Sequence, residues 1–151
     1  MNIYPLLKEE ITMIQLITGE KGKGKTKVLL DKANTGIKEA HGNVVYLDKS
    51  TKHMYELNNK IRLIDVSSFG LTSSDQFIGF IYGILSQDHD LEQMYLDSFL
   101  KIASTDEEHV NAVLAQLDKI GTEFNVTFTV SISVKSDVID ASYKENIIAE
   151  L

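Results

Sequence analysis

Gly19-Glu20-Lys21-Gly22-Lys23-Gly24-Lys25-Thr26 decides how the rest of this chain is read. It fits the pattern G-x-x-x-x-G-K-[ST] at every fixed position, and that pattern predicts a phosphate-binding loop. The residue types follow from the chemistry. Glycines let the backbone take positive φ, so that successive N–H groups turn toward phosphate oxygens with no Cβ in the way. Lys25 is placed to neutralise the outer phosphates, and Lys21, Lys23 and Lys27 crowd the same segment. Thr26, in the first turn of the helix expected next, can put a hydroxyl on a magnesium ion while the helix N-terminus adds partial positive charge. The stretch Gly19 to Lys27, including Glu20, is therefore the expected cofactor-binding segment, with Lys25 as its catalytic cation.

The flanks supply the setting such a loop requires. Met13-Ile14-Gln15-Leu16-Ile17-Thr18 is a short apolar run suited to a buried strand, and Val28, Leu29, Ala33 and Ile37 recur at helical spacing after the loop. The spacing predicts a helix to about Ala40, with Gly42 as its left-handed cap. Val44-Val45-Tyr46-Leu47 is a continuous apolar run ending in Asp48, the pattern of a strand covered on both faces. Ile61 to Val66 reads as a further strand, and residues 50–60 between the two are polar and irregular.

Ser73 with Gln76 forms a capping box that opens a helix bearing Phe77, Ile78, Ile81, Tyr82 and Leu85. Gln87 to Asp90 is a turn, in which His89 between two aspartates reads as solvated loop rather than metal ligand. Leu91 to Asp97 closes another apolar run on a carboxylate. Thr105 with Glu108 suggests a second capping box, followed by Val110, Val113, Leu114, Leu117 and Ile120 on one face and Gly121 at the stop. Val126, Phe128, Val130, Ile132 and Val134 alternate with Thr127, Thr129, Ser131 and Ser133, a strand with one polar face. Residues 1–12 are expected to form an extended arm, and 137–151 a tail that is either a short helix or an added strand. Alternating strands and helices predict a three-layer α/β/α sandwich with a mostly parallel sheet and ligands at the carboxyl ends of the strands.

Bulk properties narrow the class. A chain of 151 residues suits one domain, without room for a second beside a nucleotide-binding core. Zero cysteines exclude disulfides, thiolate metal sites and cysteine nucleophiles. Lys8, Glu9 and Glu10 stand where a signal peptide needs an apolar core, so a cytoplasmic location is expected. The longest apolar stretch, Phe77 to Leu85, is about half the ~18 residues a membrane span needs. A formal charge of −7 argues against a broad nucleic-acid surface, while the lysines of the loop make a local cationic focus for a polyphosphate.

Taken together, the loop and the strand–loop–helix order resemble a minimal RecA-like P-loop NTPase core over roughly residues 13–135. The resemblance implies ATP and Mg²⁺ as cofactors, a slow ATPase or a non-hydrolysing module in which nucleotide orders a surface for a protein partner, and self-association. It also implies a strand inserted between the loop strand and the strand that carries the metal-site carboxylate, which favours Asp97 over Asp65. Asp48 is a third candidate. Asp65 has the spacing of small GTPases but lacks their D-x-x-G glycine, reading Asp65-Val66-Ser67-Ser68. No clear counterpart to the family's water-orienting glutamate stands beside Asp97 or Asp48. Ser131 or Ser133 falls where such proteins carry a polar sensor, and Lys135 could reach a neighbouring subunit's γ-phosphate. Val134-Lys135-Ser136-Asp137 only partly matches the guanine-reading N/T-K-x-D, so ATP is preferred over GTP. A kinase reading is weak, because phosphoryl clamps favour several arginines and the only one is Arg62, which flanks a strand.

Overall fold

The computed structural model describes residues 13–151; the expected arm over 1–12 lies outside them. Six strands, β1 (Ile14–Thr18), β2 (Asn43–Asp48), β3 (Arg62–Asp65), β4 (Leu91–Leu96), β5 (Thr127–Ile132) and β6 (Ile147–Glu150), form one sheet in the order β3-β2-β4-β5-β1-β6. Every registered pair is parallel. The helices are α1 (Lys25–Glu39), α2 (Ser74–Gln87), the single turn α3 (Phe99–Ile102) and α4 (Val110–Phe124). They cover both faces, giving the expected α/β/α sandwich. Ile14, Leu16, Val45, Leu47, Met94, Leu96, Phe128 and Val130 pack with the apolar faces of α2 and α4, while Ile17, Val44, Tyr46 and Tyr95 pack with Leu29, Leu30 and Ala33 of α1. The tail resolves into a 3₁₀ segment over Ala141–Asn146 and then β6, which joins the edge of the sheet beside β1.

Sheet order matters most for function. β5 lies between β1, which feeds the glycine loop, and β4, which is followed directly by Asp97. This is the inserted strand that the RecA-like resemblance implied. The alternating Thr and Ser face of β5 is not solvent-exposed: Thr129 and Ser131 are buried beneath α1, where the Thr129 hydroxyl donates to Gln15 Oε1 at 3.3 Å.

Three local expectations give way. Gly42 does not cap α1, which ends at Glu39 with Ala40 already extended. Its smallness serves a close approach instead, since a Cβ there would lie 2.1 Å from the Asp90 carbonyl. Gly121 does not stop α4; the helix runs to Phe124 and Asn125, at φ 57°, takes the left-handed position. Nor does Thr105 open that helix. Asp106 accepts from the backbone N–H groups of Glu108 and His109 and α4 begins at Val110, while the Thr105 hydroxyl is buried without a partner among the described residues. Asp106 could compete because its carboxylate accepts several N–H groups at once. The Ser73–Gln76 box forms largely as its sequence suggests: the Gln76 N–H donates to Ser73 Oγ, and Gln76 Oε1 accepts from the Thr72 N–H.

Candidate functional site

β1 runs straight into the glycine loop, and the Gly19 N–H donates to the Val134 carbonyl at 2.8 Å, extending the β1–β5 pairing by one step. Gly22 and Gly24 then sit at φ 86° and 94°, with no atom near where a Cβ would stand. These two turns curl the loop back so that α1 begins at Lys25, immediately after Gly24. With no acidic side chain in the first turn of α1 and no side-chain cap, its N-terminal N–H groups are left to a ligand or water.

Lys25 is 6% exposed, and its ammonium folds back to donate to the Glu20 carbonyl at 3.0 Å. The loop thus closes around its own cation. Burial pulls the Lys25 pKa below its ordinary value, an effect that the negative charge of Asp97 opposes. An anion brought against Lys25 relieves that cost.

Asp97 follows β4 directly and is 2% exposed. The Thr26 hydroxyl donates to its Oδ1 at 3.2 Å, the Ser98 N–H donates to the same oxygen at 2.8 Å, and the Tyr46 hydroxyl donates to Oδ2 at 2.8 Å. Ser98 takes a left-handed conformation, φ 54°, to turn the chain there, local strain of the kind that gathers at functional sites. Between the loop and Asp97 opens a cleft of about 310 Å³, within the range of ~300–1,000 Å³ usual for ligand sites. Lys21, Gly22, Gly24, Lys25 and Thr26 form one wall; Asp97, Ser98 and Lys101 form the other; Ser131 of β5 lies in it, with Ser133 just past that strand and Lys49 just past β2.

No family model and no curated sequence matches the chain. Among solved structures it is similar to a KaiC-like protein from the hyperthermophilic archaeon Pyrococcus horikoshii, with a TM-score of 0.60 at 23% identity. The match covers 88% of this chain and 66% of that one, so this chain spans just under two thirds of the other's length. The fold is RecA-like.

Within the RecA-like sheet, the remaining sequence candidates separate. Asp65 stands at the end of edge strand β3, where it caps the 3₁₀ turn that follows by accepting from the Ser67 N–H and the Ser67 and Ser68 hydroxyls. Arg62 is exposed on the same strand. Neither lines the cleft. Lys27 points to solvent and pairs with Asp31 at 3.7 Å. Gly19, Glu20 and Lys23 face a second hollow on the outer side of the loop, shared with Lys135, whose ammonium lies 3.3 Å from the Glu20 carboxylate. Among the described residues no helix is long and apolar enough to cross a membrane.

Asp48 is the feature that sequence reading left as a minor alternative. Ending β2 beside the end of β4, it is 2% exposed; its Oδ1 accepts from the Lys49 N–H at 2.7 Å, and its Oδ2 is buried with no partner among the described residues. It borders a hollow continuous with the main cleft, together with Lys21, Thr26, His53 and Asp97. Desolvation pushes its pKa up, Asp97 pushes it the same way, and Lys49 and His53 pull it back. The apolar run closing on a carboxylate was its only sequence signal.

Proposed function

We propose that the chain binds a nucleoside triphosphate, ATP by preference, together with Mg²⁺, and hydrolyses it slowly. The observation that carries this reading is the convergence of Lys25, Thr26 and Asp97 on one cleft behind a left-handed glycine loop. The donor set suits the metal: a hydroxyl and a carboxylate oxygen 3.2 Å apart are hard oxygen ligands, and Mg²⁺ commonly takes only one or two protein ligands beside phosphate and water. When bound, the ion neutralises charge on the β- and γ-phosphates. Loop N–H groups and the Lys25 ammonium hold the same oxygens, and Thr26 and Asp97 fix the side from which they are approached.

Asp48 favours hydrolysis over a purely binding role. A buried carboxylate with a raised pKa, lining the hollow that adjoins the cleft, is suited to accept the proton of a water brought there with the nucleotide. The switch alternative, in which occupancy orders a surface for a protein partner or a second copy, needs no such group.

Thermal shift and phosphate release test both parts. At a hundredfold excess over Kd, ATP with Mg²⁺ should add about 2.7 kcal/mol, a rise of roughly 5–10 °C for a chain of this size. Lys25→Ala should remove that rise and leave release at background. Asp48→Asn should keep binding and lower release roughly 10²–10⁴-fold. Binding without release in the unaltered chain would leave the switch, and a larger shift with GTP would change the base.

A further inference from the structure

Tyr46 is the largest polar-tipped side chain that contacts the site and is assigned no part in it. It comes from the middle of β2, where it registers beside Tyr95 of β4. Its ring is fully buried and lies 6.4 Å from that of Tyr95 at an interplanar angle of 18°. Tyr95 is anchored in turn, its hydroxyl reaching Gln93 Oε1 at 2.7 Å and the Lys32 carbonyl of α1 at 3.3 Å. Gly36 lets α1 press onto this pair: a Cβ there would stand 2.4 Å from the Tyr95 hydroxyl. The Tyr46 ring is therefore clamped between sheet and helix, and its hydroxyl donates to Asp97 Oδ2 at 2.8 Å.

We propose that Tyr46 is a positioning residue for the cation site: by occupying Asp97 Oδ2 it leaves Oδ1 as the single oxygen presented beside Thr26. The inference rests on the nucleotide and Mg²⁺ reading above. Its physical basis is rotational. The terminal torsion of an aspartate is broad and nearly two-fold, so a carboxylate held only on the Oδ1 side, by the Ser98 N–H, can still turn its other oxygen toward the site. Mg²⁺ demands near-ideal octahedral geometry and tolerates such looseness poorly. A fixed donor on the far oxygen removes it, and the clamped Tyr46 hydroxyl supplies that donor at 2.8 Å. Partners that orient a metal ligand in this way typically carry about 10–100-fold in metal affinity.

The test separates orientation from packing. ATP affinity is measured in EDTA and in Mg²⁺ for the unaltered chain, Tyr46→Phe and Tyr95→Phe. Tyr46→Phe should keep the EDTA affinity within about threefold and lose roughly 10-fold or more of the gain that Mg²⁺ brings. Tyr95→Phe, which removes the other hydroxyl of the stack, should keep that gain. Should Tyr46→Phe fail to fold, the unaltered chain gives a second readout. Mg²⁺ added with inorganic tripolyphosphate, which has no ultraviolet chromophore, should perturb the buried tyrosine absorption, and Asp97→Asn should abolish the change. A Mg²⁺ gain undiminished in folded Tyr46→Phe, or equal losses in EDTA and Mg²⁺, overturns the inference while leaving nucleotide binding intact. In the fallback, an unperturbed tyrosine spectrum does the same. No ATP binding by the unaltered chain overturns the reading beneath it as well.

Discussion

Toward α2 and α4 the strands present Ile14, Leu16, Val45, Leu47, Met94, Leu96, Phe128, Val130 and Ile132; toward α1 the same strands present Ile17, Tyr46, Asp48, Tyr95, Thr129 and Ser131. Both sides are equally closed to water, yet the second holds nearly all of the buried polar side chains, Thr18 at the end of β1 being the exception on the first. Burying hydroxyls and carboxylates costs free energy unless each finds a partner, so such a face is retained where it does something other than hold the fold together. Here the polar residues gather toward the carboxyl ends of β2, β4 and β5, under the N-terminal turn of α1, which is where the cleft opens. On the proposed reading, one sheet keeps stability and chemistry on opposite faces.

The largest effect that can break this comparison comes from the dry face. Phe128 is fully buried in the middle of the sheet, and Phe128→Ala should cost about 3–5 kcal/mol through lost transfer energy and the cavity left behind. For a domain of this size that is a fall of roughly 6–20 °C in Tm, a large part of the ~5–15 kcal/mol such domains possess. Below the new Tm the protein should still bind nucleotide with unaltered affinity. A weakened affinity would mean that the two faces are coupled through the sheet.

How much of this could be read in advance also divides by face. The dry face was legible because a strand buried on both sides writes itself as an apolar run and a covered helix as a 3.6-residue stripe. The glycine loop was legible as a turn between strand and helix because Gly22 and Gly24 take positive φ there. That Asp97 rather than Asp65 borders the cleft followed only from strand order, which no local window contains. Asp48 and Tyr46 were harder. Nothing in Val44-Val45-Tyr46-Leu47-Asp48 says that the tyrosine tip meets a carboxylate fifty-one residues on, because that contact exists only once β2 and β4 lie side by side. The misread helix ends share a cause. Gly42 and Gly121 look like caps, but both are small because another backbone passes close by, the Asp90 carbonyl in one case and the Val126 carbonyl in the other.

A middle-sized effect sharpens the boundary between the faces. Gly19 stands where β1 leaves the sheet for the loop, at φ 148°, and a Cβ there would lie 2.9 Å from the Leu151 carbonyl oxygen. Leu151 is held by its N–H donating to the Thr18 carbonyl at 2.8 Å. Gly19→Ala should therefore cost about 1–3 kcal/mol and detach the end of β6, read as faster hydrogen exchange at the Leu151 amide. Unchanged exchange would show that the loop, rather than β6, absorbs the added methyl.

The smallest effect has the opposite sign, and that sign follows from where Asp48 sits. Desolvation, seconded by the charge of Asp97, raises its pKa in the folded chain above the ordinary 3.8. The folded state therefore holds this proton more tightly than the unfolded state does. The contribution of the protonated form is complete below the ordinary value and is lost as pH rises through the raised one, so near neutral pH an ionised Asp48 works against folding. Asp48→Asn removes the charge while keeping the shape. Without nucleotide it should raise stability at pH 7.5 by about 1 kcal/mol, or roughly 2–4 °C, with the gain shrinking as pH falls toward 4. Taking the difference between the two proteins at each pH cancels the exposed acids that titrate in the other direction, such as Asp106, whose pKa its hydrogen bond to His109 lowers. A gain at neutral pH beside the loss of phosphate release would place at one residue the exchange of stability for activity that the polar face implies. A loss of stability instead would mean that the buried Asp48 oxygen has a partner in solution.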